Sequence, residues 1–173
     1  MKRMDRLRKE AELTMEKVRS LTRHIRNVED NCLLLGEKLI LNGEIDLGHH
    51  LIANGFVHDA SKFSGIEWEY LSIIPNKEEE TKLKLKMAIL NHRKTNPHHI
   101  EFWSNGIENM PDVYLAEMIC DIKTRSEEFG TSLMDYIEEC ASKKWDIEKD
   151  SKIYKRILEF VGLLCPIPFK EIK

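Results

Sequence analysis

Four side chains could act together on one cation in this sequence: His24, the doublet His58-Asp59, and Asp121. A histidine followed directly by an aspartate offers a neutral nitrogen and an anionic oxygen to a divalent metal. A further histidine and a second carboxylate complete a nitrogen-and-oxygen donor set. Such a set leaves the ion part of its charge and an open position, so bound water can ionise near neutral pH and attack phosphorus. Taken singly the residues say little, since a lone His24 beside apolar neighbours is more often an interfacial histidine than a ligand. Their order along the chain carries the signal, provided the elements that hold them converge.

Those elements are helices. Apolar and small residues recur at alternating steps of three and four from Met4 through Leu7, Ala11, Thr14, Val18, Leu21, Ile25, Val28, Cys32, Leu35 and Leu39, which predicts one long helix ended by Asn42-Gly43. A second helix is expected from Asp46 to about Phe56, putting His58-Asp59 at or just past its end. Ser61 to Tyr70 reads as a short helix, with Pro75-Asn76 ending that region. Lys77 to about Lys94 reads as another, with Leu83, Met87 and Leu90 on one stripe and Leu85, Ala88, Ile89 and His92 beside it. Asn96-Pro97 breaks that helix, and Pro97-His98-His99-Ile100-Glu101 restarts the chain as a turn or short helix. Pro111 opens a helix with Leu115, Met118, Ile119 and Ile122 inward. Two amphipathic helices follow, about Ser132 to Lys144 and Ser151 to Leu164, before Pro166 and Pro168. The expected fold is all-α, a compact helical bundle.

At 173 residues and 42% hydrophobic content the chain fits a single domain over residues 1–173, with residues 1–20 as a helical extension. Lys and Arg number 27 against 30 Asp and Glu, a net charge of -3, so no basic field gathers nucleic acid or an anionic membrane. The basic N-terminus lacks an apolar signal core and no apolar run could span a bilayer, so a cytoplasmic protein is expected. Cys32, Cys120, Cys140 and Cys165 form no Cys-x-x-Cys pair and read as reduced thiols in or near the core. The stripe of the N-terminal extension could pair with a second copy or pack on its own bundle, so a homo-oligomer is one expectation.

Glu117, Asp121 and Arg125 are spaced by four and share a polar stripe, either a solvated ladder or a metal ligand with supporting neighbours. Lys62, a short turn after the doublet, and Arg125, a turn after Asp121, could both reach phosphoryl oxygens, Lys as a point charge and Arg as a fork. Glu67 and Glu101 could orient a histidine or serve a leaving group, and spacing assigns neither. Trp68, Tyr70 and Trp103 flank the site in sequence, with core packing the commoner role for such rings.

The ordered set His24, His58-Asp59, Asp121 resembles the HD-domain superfamily of metal-dependent phosphohydrolases over about Arg23 to Arg125. The likeness implies that these four residues bind a divalent metal. Thr-Arg-His-Ile-x-x-Val, Asn-His-x-x-x-Asn-x-His-His-x-Glu-x-Trp and Ala-Glu-Met-x-Cys-Asp are also similar to a family of small uncharacterised HD-like proteins of bacteria and phages. The one-metal nucleoside monophosphatases of the fold have a carboxylate three residues after the doublet, where this chain has Lys62. His-Asp-x-x-Lys followed by more histidines looks instead like the two-metal branch, in which Asp59 would bridge the ions and His92 with His98, His99 or both would hold the second.

The resemblance thus implies a phosphatase or phosphodiesterase using one or two divalent ions (Mn, Fe, Co, Zn or Mg). Asp59 and Lys62 would be catalytic, Lys62 and Arg125 would bind substrate, and the substrate would be a nucleotide or related small phosphate ester. Two other readings stay open at this point: a di-iron oxygenase, which the same superfamily contains with a comparable array, and a non-catalytic module that binds a nucleotide or a partner.

Overall fold

The computed structural model describes residues 2–71 and 79–165, and among these all regular structure is helical. The α-helices are α1 (Lys2–Leu41), α2 (Ile45–Val57), α3 (Gly65–Tyr70), α4 (Glu79–Thr95), α5 (Asp112–Phe129), α6 (Leu133–Lys143) and α7 (Lys152–Leu164). Short 3-10 turns at Ala60–Phe63, Ile100–Phe102 and Gly106–Asn109 link them. The all-α expectation holds, and no described helix is long and apolar enough to cross a membrane. Pro75-Asn76, the start of the helix expected from Lys77, Pro166 and Pro168 lie outside the described residues.

Helices α1 and α2 form an antiparallel hairpin whose backbones nearly touch. A Cβ on Gly36 would lie 2.9 Å from the Gly48 carbonyl oxygen, and one on Gly48 would lie 2.5 Å from that of Gly36. Only glycine permits this approach. Further along, a Cβ on Gly55 would meet the Cys32 Cβ at 2.8 Å. Continuing the antiparallel run one more step carries His24 of α1 to the far end of α2, where the doublet sits.

Helix α5 packs across this hairpin and α7 closes it. Val28, Leu35, Leu39, Leu51, Ile119, Ile157 and Phe160 are fully buried between them. Ser132 and Ser151 cap α6 and α7, their hydroxyls accepting from the Asp135 and Tyr154 amides, which satisfies donors that a helix start otherwise leaves unpaired. Cys32, Cys120 and Cys140 are buried free thiols, and Cys165 is exposed.

The long stripe of α1 has two fates. From Leu21 onward its positions turn into the core, Val28, Cys32, Leu35 and Leu39 with no exposed surface, whereas Met4, Leu7 and Val18 remain exposed. The outer turns of α1 therefore do not fold back on their own bundle, apart from a half-buried Lys17. On α4 the Leu83, Met87 and Leu90 stripe also faces solvent, and Ala88 and His92 are the buried positions.

Candidate metal centre

The end of α2 presents the doublet. His58 ends the helix at φ -50 and ψ 132, and Asp59 follows in the left-handed region at φ 56 and ψ 19, a conformation that Asp tolerates better than most side chains. This reversal lets consecutive side chains face one point, and His58 Nε2 lies 3.4 Å from Asp59 Oδ2. The 3-10 turn that follows returns Lys62, whose amide donates to the Asp59 carbonyl at 2.9 Å and whose ammonium pairs with Asp59 Oδ2.

Around Asp59 the donor atoms sort into two groups. Oδ2 faces the first: His24 Nε2 at 3.7 Å and His58 Nε2 at 3.4 Å, with Asp121 Oδ1 3.2 Å from the former and 3.9 Å from the latter. Oδ1 faces the second, His92 Nε2 at 3.2 Å and His98 Nε2 at 3.6 Å. His99 joins this second group, every donor atom of which lies within 4.8 Å of the others. Ligands bonded to one divalent ion at about 2.0–2.2 Å stand roughly 3–4 Å apart, which is the spacing here. His24, His58, Asp59 and Asp121, singled out from the sequence, meet in this cluster, and so do His92, His98 and His99, which the resemblance brought in.

The outward nitrogens explain the inward ones. His24 Nδ1 lies 3.0 Å from Glu128 Oε1, and His92 Nδ1 lies 2.9 Å from Glu67 Oε2. Glu117 Oε1 serves two rings, with His58 Nδ1 at 2.9 Å and His98 Nδ1 at 3.1 Å. A carboxylate accepting from Nδ1–H fixes that tautomer and leaves Nε2 as a lone pair aimed inward. Accordingly His24 Nε2, His58 Nε2, His98 Nε2, His99 Nε2, Asp59 Oδ1 and Asp121 Oδ1 are buried without a hydrogen-bond partner. Lone pairs held against carboxylate oxygens repel unless a cation lies among them. The donor set therefore fits a divalent metal.

The same contacts set the charges of the metal-free cluster. Burial opposes ionisation of Asp59, but the close approach of His92 and His58 and the charge of Lys62 outweigh it and hold this carboxyl well below its usual range. Asp121 is likewise lowered against burial, by His24 and His58. Glu117, pushed up by burial, is brought down to about 2 by its bonds to His58 and His98. Burial, helped by the neighbouring rings of His98 and His92, lowers His99 to about 3 and keeps it a neutral ligand. For His58 burial is more than offset by Glu117, Asp59 and Asp121, and its pKa is raised.

Sequence spacing left several supports unassigned. Glu67 is buried and accepts from Ser61 Oγ at 2.7 Å and Asn91 Nδ2 at 2.8 Å as well as from His92. Glu101 instead pairs with Arg93 at the surface, 3.0 Å apart. Asn54 donates to Glu117 Oε2 at 3.0 Å and was not anticipated. Nor was Glu128, although it follows Asp121 by two turns on the same face of α5. Arg125 stands 4.0 Å from Asp121 and gives Nη1 to Glu128 at 2.9 Å.

A family model described as a family of unknown function (DUF5662) matches residues 14–161. No curated protein matches the chain, and no solved structure does.

Proposed function

Because the chain belongs to that family of unknown function, its site has to carry the reading, and we propose a metal-dependent phosphohydrolase of HD type. Its substrate is a phosphate ester of a nucleotide or related small molecule. One observation carries the proposal: Asp59 turns one oxygen to each of two histidine groups, in which the inward nitrogens of His24, His58, His98 and His99 are buried without a partner. Divalent ions bound there would lower the pKa of a coordinated water and draw charge from phosphoryl oxygens.

The chain's own residues do the rest. Glu128, Glu117 and Glu67 hold the imidazoles in one tautomer and one orientation, so the donor set needs no rearrangement when it is loaded. Lys62, anchored by Asp59, and Arg125, anchored by Glu128, place positive charge beside the cluster, where a phosphoryl group gains negative charge during attack.

The test has two readings taken together. The chelator-treated protein, reloaded with manganese, should bind close to two ions per chain by mass spectrometry under native conditions. It should also release phosphate or alcohol from a panel of phosphate esters, and Asp59→Asn should abolish both. A purified protein that carries a spectroscopically coupled iron pair and hydrolyses no ester would overturn the proposal in favour of oxidative chemistry.

A further inference from the structure

Two cavities reach the metal centre, and they do so past different ligands. One, of about 680 Å³, lies against α5 and α6 and includes His99 and Asp121 in its wall. The other, of about 1030 Å³, lies against α1 and α3 and includes His24 and Lys62. Arg125 lines both. Each is within or near the size of pockets that take a small organic ligand.

The walls repeat one chemistry on both sides, an aromatic ring beside a cation. In the first cavity Lys144 Nζ stands 5.0 Å from the centre of the Tyr136 ring, with Trp145 and Phe129 alongside, and Phe129 is 73% exposed at its rim. In the second Lys17 Nζ stands 4.1 Å over the Trp68 ring, with Tyr70 next to it. Paired ring and cation suit a planar group carried on a phosphate.

Building on the hydrolase reading, we infer that the substrate is a phosphodiester with a ring-bearing group on each side of the reacting phosphorus. One group lies in each cavity and Arg125 sits between them. A phosphomonoester would fill one cavity only. In the reaction water adds to phosphorus as one ester P–O bond breaks. One proton of that water ends on the departing alcohol, and the other is shed as the remaining monoester ionises.

Bis(p-nitrophenyl) phosphate and p-nitrophenyl phosphate separate these cases on the manganese-loaded full chain. The diester should be cleaved with a kcat/KM about tenfold or more above that of the monoester, the worth of one additional stacked ring. Phe129→Ala and Trp68→Ala should each raise KM for the diester by about the same factor, whereas only one of them should affect the monoester. Because Trp68 is half buried, Lys17→Ala serves as a second variant for its cavity. Fluorescence gives an answer independent of turnover. Mixed rapidly with the diester, the protein should lose part of its quenching in Trp68→Phe and another part in Trp145→Phe. Cleavage of the monoester at an equal or better rate, or quenching at one tryptophan alone, overturns the diester inference and leaves the hydrolase reading standing. Cleavage of neither probe by protein shown to hold metal overturns both.

Discussion

The two donor groups around Asp59 are built in different ways. His24, His58 and Asp121 belong to α1, the end of α2 and α5, three of the helices that make the core, with Val28, Leu51 and Ile119 fully buried in it. His92 lies in the last turn of α4, and His98 and His99 follow on the turn before Ile100. The first group is held by the packing that folds the protein, and its geometry is as rigid as the core. The second is held by hydrogen bonds. Glu67 ties His92 to α3, and Asn96 Nδ2 donates to the His92 carbonyl at 2.8 Å and to Ser61 Oγ at 3.0 Å. A helix end and a turn can shift where three packed helices cannot, so the second position is expected to bind its ion more weakly.

Asp59 is where that contrast disappears, because it serves both groups. Asp59→Asn is the largest expected effect: loss of both ions at micromolar metal and ester cleavage reduced by about a thousandfold or more, within the range for removing a central catalytic group. Asn is also tolerated at positive φ, so circular dichroism should show an unchanged helical spectrum. A variant that keeps one tight ion would show that the two groups do not share this carboxylate.

Glu117 comes next, since it orients one histidine of each group. Glu117→Gln should weaken both positions by about 10–100-fold, as expected when a partner behind a metal-bound histidine is lost. Calorimetric titration with manganese would show it. The same substitution changes acid stability in the metal-free protein. Glu117 is lowered from 4.5 to about 2, so its contribution is complete above about pH 4.5 and disappears as pH falls toward 2. That interval corresponds to about 3 kcal/mol. Urea unfolding at pH 5 and at pH 3 should differ less in Glu117→Gln than in the parent, and an equal difference would sink the assignment.

Much of this is legible in the amino-acid sequence. The three-and-four stripe of α1 located His24 on an inward face, the end of α2 located the doublet, and the spacing of Glu117 and Asp121 put both on one side of α5. What could not be read has physical reasons. Glu128 follows Glu127 near the end of a helix, and a carboxylate pair there looks like solvated surface until α1 is seen beside it. Glu67 and His92 meet only because α3 packs on α4, a tertiary fact that no local period contains. The left-handed backbone at Asp59, which aims both members of the doublet at one point, leaves no trace in residue type beyond Asp being permitted there. The stripe on the outer half of α1 is as regular as on the inner half, and periodicity does not say where the core stops.

Glu128 and Glu67 sharpen the comparison, because each orients a histidine of one group only. Glu128→Gln should weaken the first position and Glu67→Gln the second, each about tenfold, while the other position stays within a factor of two or three. Competition between manganese and a chelating dye, resolved into two phases, would read this. Equal losses at both positions in either variant would mean that the groups move as one unit and that the core-held and turn-held distinction has no energetic consequence.

His99 should show the smallest effect of the set. Its Nε2 points into the second group without a partner, yet among the described residues no carboxylate lies within ion-pair distance of its ring, unlike the other four histidines. An imidazole with no carboxylate behind it is a less basic and less firmly oriented ligand, and burial together with His98 and His92 already lowers its pKa to about 3. It also lines the cavity against α5 and α6, where the proposed substrate would border it. His99→Gln should therefore leave both ions bound, with a loss of only about threefold at the second position, and should change KM more than metal affinity. Loss of the second ion in this variant would make His99 an essential ligand and leave the turn as firmly constrained as the core.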